Sequence, residues 1–290
     1  MGIIQYIKEI KYNIGFIDGD IDSIIKGEPI NVNWLKHSYK DRWFADPFII
    51  NVTENEIIVL VEEWYDPINR GRISKLIIDK QSLCLKDTIV LLELDTHLSF
   101  PAIIRKGNDI YIYPENSEAN KLTEYKYIIK EDRLEYSSIL ADGPLTDAIQ
   151  TEFGGEKYLF STKLPDANGK HLGIYKWDYN AQKYIFSEEY IYKDNLGRSA
   201  GDFFRFEEKI YRPSQVSIKS YGDAVSIQEV SFSPTEGWRF NEIRRIYSPH
   251  PYLNLGFHTF NTYNGLIVVD ACGYRKAKLC HLFRKLKYFF

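Results

Sequence analysis

The chain is poor in sulfur, with one Met and three Cys (Cys84, Cys272 and Cys280) in 290 residues. Scattered thiols with no CxxC pair argue against a disulfide framework and a structural zinc site, and a reducing compartment is expected. No run approaches the roughly 18 apolar residues of a membrane-spanning helix. Lys8, Glu9 and Lys11 interrupt the start of the chain, leaving no apolar stretch of signal-peptide length. A cytoplasmic location is therefore expected, and the Asn51-Val52-Thr53 sequon is read as without meaning. Excess positive charge is also lacking. A net charge of −3 and a pI of about 6.1 give no support for a nucleic-acid partner. P-loop, GxGxxG and HExxH motifs are missing, and no cofactor is expected. Asp18-Gly19-Asp20-Ile21-Asp22 is similar to a metal-binding DxD or the opening of an EF-hand loop. Ser23 stands where the loop needs Gly and Pro29 where it needs Glu, so no metal is assigned.

Aromatic residues are plentiful, with 22 Tyr, 17 Phe and 5 Trp. Such residues favour pleated, half-buried surfaces, and their faces also stack on sugar rings. Long helical periodicity is absent; only Asp18 to Lys26 and the tail suit short helices. A unit built from an apolar run, a short polar or Gly-bearing turn and a second apolar run recurs five times. It appears at residues 43–64, 99–116, 145–162, 199–215 and 256–272. Each unit has the signature of a β-hairpin. The runs start at Asp46, Pro101, Asp147, Asp202 and His258, a repeat near 50 residues. Further strands follow the first four hairpins. That repeat predicts an all-β, five-bladed β-propeller with about four antiparallel strands per blade, over residues 1–290 as a single domain. A β-sandwich would not predict five equal units, and a β-helix would need shorter ones. The fifth unit shows two clear strands, so the segment around Tyr6 to Ile17 is expected to complete the last blade and close the ring. The basic tail over residues 276–290 is read as a final strand or short helix with solvated lysines, with peripheral contact to an anionic membrane surface as the alternative.

In an antiparallel hairpin the start of one strand lies beside the end of the other. Asp46 is therefore expected near Glu62 and Glu63, and Pro101 near Glu115. Asp147 is expected near Ser161 and Thr162, Ser199 and Asp202 near Arg212 and Gln215, and His258 near Asp270. Polar side chains are costly to bury alone. Their recurrence at one place in every unit predicts a wet funnel around a central channel. Asp46, inside Trp43-Phe44-Ala45-Asp46-Pro47-Phe48, is the sharpest catalytic candidate, because a carboxyl in apolar surroundings acquires a raised pKa. The plainer alternative is a turn cap before Pro47. Glycosyl chemistry often needs paired carboxylates, and Glu115 and Asp147 fit the funnel best as its partners. Substrate contact is assigned to Trp43, Glu63, Phe100, Ser199, Asp202, Arg212, Gln215, His258 and Asp270. For Arg198 and Arg212 the alternative is a salt bridge between blades, and for the aromatics it is core packing.

At WFADPF, SFPAI, YPENS, LTDAI, YLFST, GRSAGDFF, YRPSQ and GFHTF the sequence resembles the N-terminal propeller-type domain of plant glucosamine inositolphosphorylceramide transferases and their bacterial relatives. The bacterial relatives are associated with surface-polysaccharide biosynthesis. The resemblance runs from about Trp43 to Asp270. It implies a less acidic residue after Ser199-Ala200-Gly201, which makes Asp202 the weaker catalytic choice. The plant proteins carry a separate C-terminal transferase domain that this chain is expected not to contain. More distantly, the chain looks like five-bladed glycosidases, and this implies Asp46 as base or nucleophile, Asp147 as an orienting carboxylate and Glu115 as acid. The expected function is glycosyl or related group transfer in glycan biosynthesis on a glycan or activated-sugar substrate. A glycoside hydrolase or a non-catalytic glycan-binding propeller is the alternative.

Overall fold

A computed structural model describes residues 9–275. Among them five four-stranded antiparallel sheets form a five-bladed β-propeller. The first blade holds β3 (Arg42–Val52), β4 (Glu56–Tyr65), β5 (Arg70–Asp79) and β6 (Leu85–Leu92). The second holds β7 (Ser99–Lys106), β8 (Asp109–Glu115), β9 (Lys121–Ile128) and β10 (Arg133–Asp142). The third holds β11 (Leu145–Phe153), β12 (Glu156–Lys163), β13 (His171–Asp178) and β14 (Lys183–Ile191). The fourth holds β15 (Phe204–Phe206), β16 (Lys209–Val216), β17 (Ala224–Ser233) and β18 (Gly237–Ile246). In the fifth, β19 (Phe260–Tyr263) and β20 (Leu266–Tyr274) are joined by β1 (Ile10–Ile17) and β2 (Val32–Trp34).

The N-terminal strand thus fills the third place of the last blade. Its pairing runs from Ile10 opposite Tyr274 to Ile17 opposite Ile267. Of the segment expected from Tyr6 to Ile17, β1 spans Ile10–Ile17; residues before 9, Cys280 and the basic tail lie outside the described part. Among the described residues no helix is long and apolar enough to cross a membrane. Helix α1 (Ile21–Ile25) accounts for the DxD-like stretch, because Asp20 caps it by accepting the Ser23 N–H at 2.9 Å.

Turn chemistry fixes the hairpins. Gly154 and Gly155 both have positive φ between Phe153 and Glu156, as do Asn264 and Gly265 between Tyr263 and Leu266. Those are the two-residue turns whose twist matches paired strands. Blades bury both faces against their neighbours, so β4 is apolar over much of its length while the outer β14 is largely exposed. The core consists of layers between blades. Between the third and fourth, Trp238 meets Phe160 and Phe153 edge-on at 5.0 and 4.9 Å. Each fully buried aromatic contributes at most about 3 kcal/mol by area.

A shared irregularity sets the site. In the first three blades pairing breaks at the same register, between Ala45 and Phe48, Ser99 and Ala102, and Thr146 and Ile149. The residue at each break has a left-handed backbone: Asp46 at φ 49°, Phe100 at 43° and Asp147 at 44°. Equivalence therefore falls on Phe100 rather than Pro101. A bulge of this kind turns the strand and re-aims its side chain.

Candidate functional site at the funnel mouth

The bulges lock to one another across blade boundaries. Asp46 N–H donates to Asp270 Oδ2 at 2.9 Å, Phe100 N–H to Asp46 Oδ2 at 3.1 Å, and Asp147 N–H to Glu115 Oε2 at 3.0 Å. Asp202 N–H donates to Asn261 Oδ1 at 2.7 Å. Carboxylates from separate blades are drawn together because each accepts a backbone donor that the bulge frees.

Asp46 is 5% exposed. Its Oδ1 accepts the Thr259 hydroxyl at 2.9 Å and lies 3.9 Å from His258 Nε2. Burial pushes the Asp46 carboxyl up to about 6; His258 opposes this, and Asp147 and Asp270 add to it. His258 Nδ1 bonds Asp270 Oδ1 at 2.8 Å. Burial alone would lower the imidazole, but Asp270, Asp46 and Asp147 outweigh it and raise it to about 9. Asp270 lies below the usual carboxylate range, since His258 and the backbone donors overcome its burial. Ligand atoms of Asp46, His258 and Asp270 all lie within 4.8 Å of one another, a spacing that suits a cation. At neutral pH the protonated His258 supplies that charge itself.

Across the mouth, Arg198 bridges two blades. Its Nε donates to Asp147 Oδ2 at 2.6 Å and its Nη2 to Glu115 Oε2 at 3.1 Å. Gln215 Nε2 also donates to Asp147 Oδ2, at 2.6 Å, and to Ser199 O at 3.0 Å. Burial raises Glu115 well above its ordinary value; Arg198 resists, and the neighbouring Asp147 assists. Glu62 is raised well above its own, by burial and then by Asp46 and Glu115.

An arc of rings rims this hollow. Trp64 stacks on Trp43 at 5.5 Å, Trp43 meets Tyr12 at 5.0 Å, and Tyr12 stacks on His258 at 4.8 Å. Tyr221 follows, 5.4 Å from His258 and 5.3 Å beneath the Arg198 guanidinium.

The structure brings together Asp46, Glu115, Asp147, Gln215, His258 and Asp270, with Trp43 on the rim. Ser199 meets the mouth through its carbonyl, which accepts from Gln215, while its hydroxyl faces Arg212; Phe100, Glu63, Arg212 and Asp202 are set apart. Phe100 is a core side chain packed edge-on against Phe48 at 5.0 Å, and only its N–H meets Asp46. Glu63 is sealed among Arg42, Arg72 and Ser74. Arg212 is fully buried and donates to Tyr192, Gln228 and the Leu196 and Gly197 carbonyls; Nη2 also reaches Ser199 Oγ at 3.3 Å. Asp202 is raised by burial to about 7. The charge acting on it is Arg105, which caps Ile49 and Ile50 toward the far end of the first strand. Glu62 and Arg198, weighed from the sequence but not among the assigned contacts, belong to the mouth, and so do Tyr12, Tyr221 and Thr259. Its place beside Asp46 in the hairpin pattern is the signal that marks Glu62, and the Arg-Ser pair that leads into the fourth unit marks Arg198.

Solved structures of similar fold include glycoside hydrolases. A GH43 β-1,3-galactosidase with galactodeoxynojirimycin aligns at TM-score 0.56 and 7% identity, over 78% of this chain and 84% of its own. A GH43 β-xylosidase/α-arabinofuranosidase from a compost metagenome, with xylotriose, aligns at 0.54 and 10% over 83% and 93%. At such identity the likeness concerns the fold alone. In sequence, glucosamine inositolphosphorylceramide transferase 1 of Oryza sativa subsp. japonica is 26% identical over 199 residues, and that of Arabidopsis thaliana 22% over 209. These alignments cover 66% and 69% of this chain but 27% of each plant protein, so the chain spans about a quarter of their length. The family model described as glucosamine inositolphosphorylceramide transferase 1, N-terminal, matches residues 31–250, and the chain belongs to that family.

Proposed function

We propose that this chain acts on a carbohydrate at the funnel mouth and transfers a glycosyl or related group in glycan biosynthesis, with Asp46 as the base. The observation that carries this reading is Asp46 itself. Its carboxyl sits at the tip of a left-handed bulge, is raised by burial to about 6, and stands among polar tips from neighbouring blades. A base poised near neutrality takes a proton from an acceptor hydroxyl as that oxygen attacks the sugar. The arc from Trp64 to Tyr221 offers ring faces of the kind that bind pyranoses. Arg198 holds Glu115 and Asp147 in place from its position between blades.

The test is a binding and turnover screen of the full chain with oligosaccharides and activated sugars, followed by Asp46→Asn. Binding that is kept with turnover lost supports the reading. Unchanged turnover in Asp46→Asn removes Asp46 as base, and transfer to water alone makes the protein a hydrolase. Binding of glycans without turnover in the parent chain leaves a lectin-like propeller.

A further inference from the structure

Five carboxyls face the funnel mouth, and the fold consumes four of them. Asp46 accepts Phe100 N–H and Thr259, and Asp270 accepts from Asp46, His258 and Thr259. Asp147 accepts from Arg198 and Gln215, and Glu115 from Asp147, Arg198 and Ser117. Glu62 differs. Among the described residues no hydrogen bond reaches its carboxyl, although the side chain is only 7% exposed. The nearest basic atom is His97 Nε2, at 3.6 Å.

His97 is aimed by its other nitrogen. Nδ1 accepts Gly71 N–H at 2.9 Å, which leaves the proton of the neutral ring on Nε2, toward Glu62. Burial lowers the His97 pKa, so the ring is neutral at physiological pH. A Cβ on Gly71 would lie 2.7 Å from both Glu62 Oε1 and His97 Cε1. The Leu98 backbone oxygen would lie nearer still and cannot give way, so glycine is required there. Past His97 the surface opens into a cleft of about 530 Å³ between the first and second blades, bounded by Trp64, Arg70, Asp95, His97 and Glu118. Trp64 is also the last ring of the rim, so the cleft continues the proposed sugar path.

We propose that Glu62 donates the proton to the leaving group, that this group lies in the cleft beside Trp64 and His97, and that the sugar donor is an uncharged glycoside rather than a nucleotide diphosphate sugar. This rests on the transfer reading above. In the step, the acceptor oxygen bonds to the anomeric carbon and its proton passes to Asp46. The bond from that carbon to the leaving oxygen breaks, and the leaving oxygen takes the Glu62 proton. Solvent then returns one proton from Asp46 to Glu62. A leaving alkoxide needs such a donor, whereas a diphosphate departs unprotonated and calls for cations. The mouth and the cleft together set seven carboxyls (Asp46, Glu62, Asp95, Glu115, Glu118, Asp147 and Asp270) against Arg70, Arg198 and His258; Arg198 and His258 are bound to carboxylates, and Arg70 to the Leu94 carbonyl with Asp95 beside it. His97 is a positioning residue that holds Glu62 toward the cleft.

The experiment compares disaccharides, 2,4-dinitrophenyl glycosides and UDP-sugars of glucose, galactose, xylose and N-acetylglucosamine, using the full chain and its Glu62→Gln, His97→Gln and Trp64→Leu variants. Glu62→Gln should lose about 10²–10⁴-fold on disaccharides and less than about 10-fold on dinitrophenyl glycosides, whose leaving group needs no proton. The alkaline limb of the pH profile should vanish with it and shift in His97→Gln. Trp64→Leu should weaken disaccharide binding, read by calorimetry, and spare monosaccharides. Equal losses on both leaving groups overturn the acid role. Turnover of UDP-sugars undiminished in Glu62→Gln overturns the donor assignment and leaves the transfer reading standing. An absence of binding and turnover with every sugar overturns both.

Discussion

His258 and Asp270 form a sealed ion pair, Nδ1 to Oδ1 at 2.8 Å, with side-chain exposures of 4% and 0%. The imidazole's pKa is raised to about 9 from an ordinary 6.5. A group raised in the folded state contributes stability that is fully present below its unfolded pKa and is lost as pH climbs through the folded one. The window is therefore pH 6.5 to 9, and at about 1.4 kcal/mol per unit the loss is on the order of 3 kcal/mol. Calorimetric melting between pH 6 and 9.5 should show a falling Tm that flattens in His258→Gln. A flat curve in the parent chain would contradict the pairing.

Asp46 carries the opposite sign. Its folded pKa lies above the ordinary 3.8, at about 6, so folding is penalised progressively as pH rises through that interval. Asp46→Asn should remove a penalty of up to about 3 kcal/mol at pH 8, in which the attraction to His258 is already counted. The amide oxygen still accepts Phe100 N–H, and its nitrogen meets Thr259 Oγ1. Activity should move the other way. In the parent chain kcat/KM should rise with pH through an apparent pKa near 6, and the variant should lose about 10²–10⁴-fold. A variant that is both stabler at pH 8 and inactive is the expected result, measured by denaturant melts and turnover on one preparation.

The hairpins were readable in the sequence because their turns carry local chemistry, as in Gly154-Gly155 and Asn264-Gly265. The meeting of His258 with Asp270 followed from strand geometry alone. Facing was harder to read. Glu62 and Glu63 are neighbours on β4 and so point to opposite sides, but the strand is buried on both, and no polar-apolar alternation tells which side meets the channel. Glu63 accordingly turned out to belong to Arg42 and Arg72, and Glu62 to the funnel. Arg198 and Arg212, read alike in the sequence, parted for a related reason: Arg198 reaches the mouth and Arg212 is buried between blades. Arg198 sits in the connection before β15, whose path no two-residue period describes.

The two arginines should separate cleanly by mutation. Arg212 lies between blades with its Nη atoms bound to Tyr192, Gln228, Ser199 and two carbonyls. Removing a buried hydrogen-bonded cation strands its partners, so Arg212→Ala should cost about 3–5 kcal/mol and lower Tm with no specific effect on ligand affinity. Arg198→Ala frees Glu115 and Asp147 at the mouth. It should weaken carbohydrate binding about tenfold or more, and it should shift the pH profile upward because Glu115 loses the charge that holds its pKa down. Equal Tm losses with unchanged affinity in both variants would mean that the two arginines share one structural role.

Gly201 ties the connection before β15 to the ring. Its φ is 158°, and a Cβ there would overlap the Phe260 carbonyl and lie 2.7 Å from Asn261 Oδ1. Those two residues take part in the lock: Phe260 N–H donates to Ala200 O at 2.7 Å, and Asn261 Oδ1 accepts Asp202 N–H at 2.7 Å while its Nδ2 donates to Pro47 O at 2.9 Å. Backbone oxygen does not yield as a flexible side chain does, so Gly201→Ala must move the fourth blade against the fifth. The cost should be about 2–4 kcal/mol from strain and broken hydrogen bonds, larger than an ordinary surface change. Because Asn261 also reaches Pro47, beside Asp46, the displacement should reach the base. Hydrogen exchange in Gly201→Ala should accelerate at Phe260 and at Asp46 together. Acceleration confined to the fourth blade would show that the bulges are locked only pairwise and that the ring does not transmit the strain.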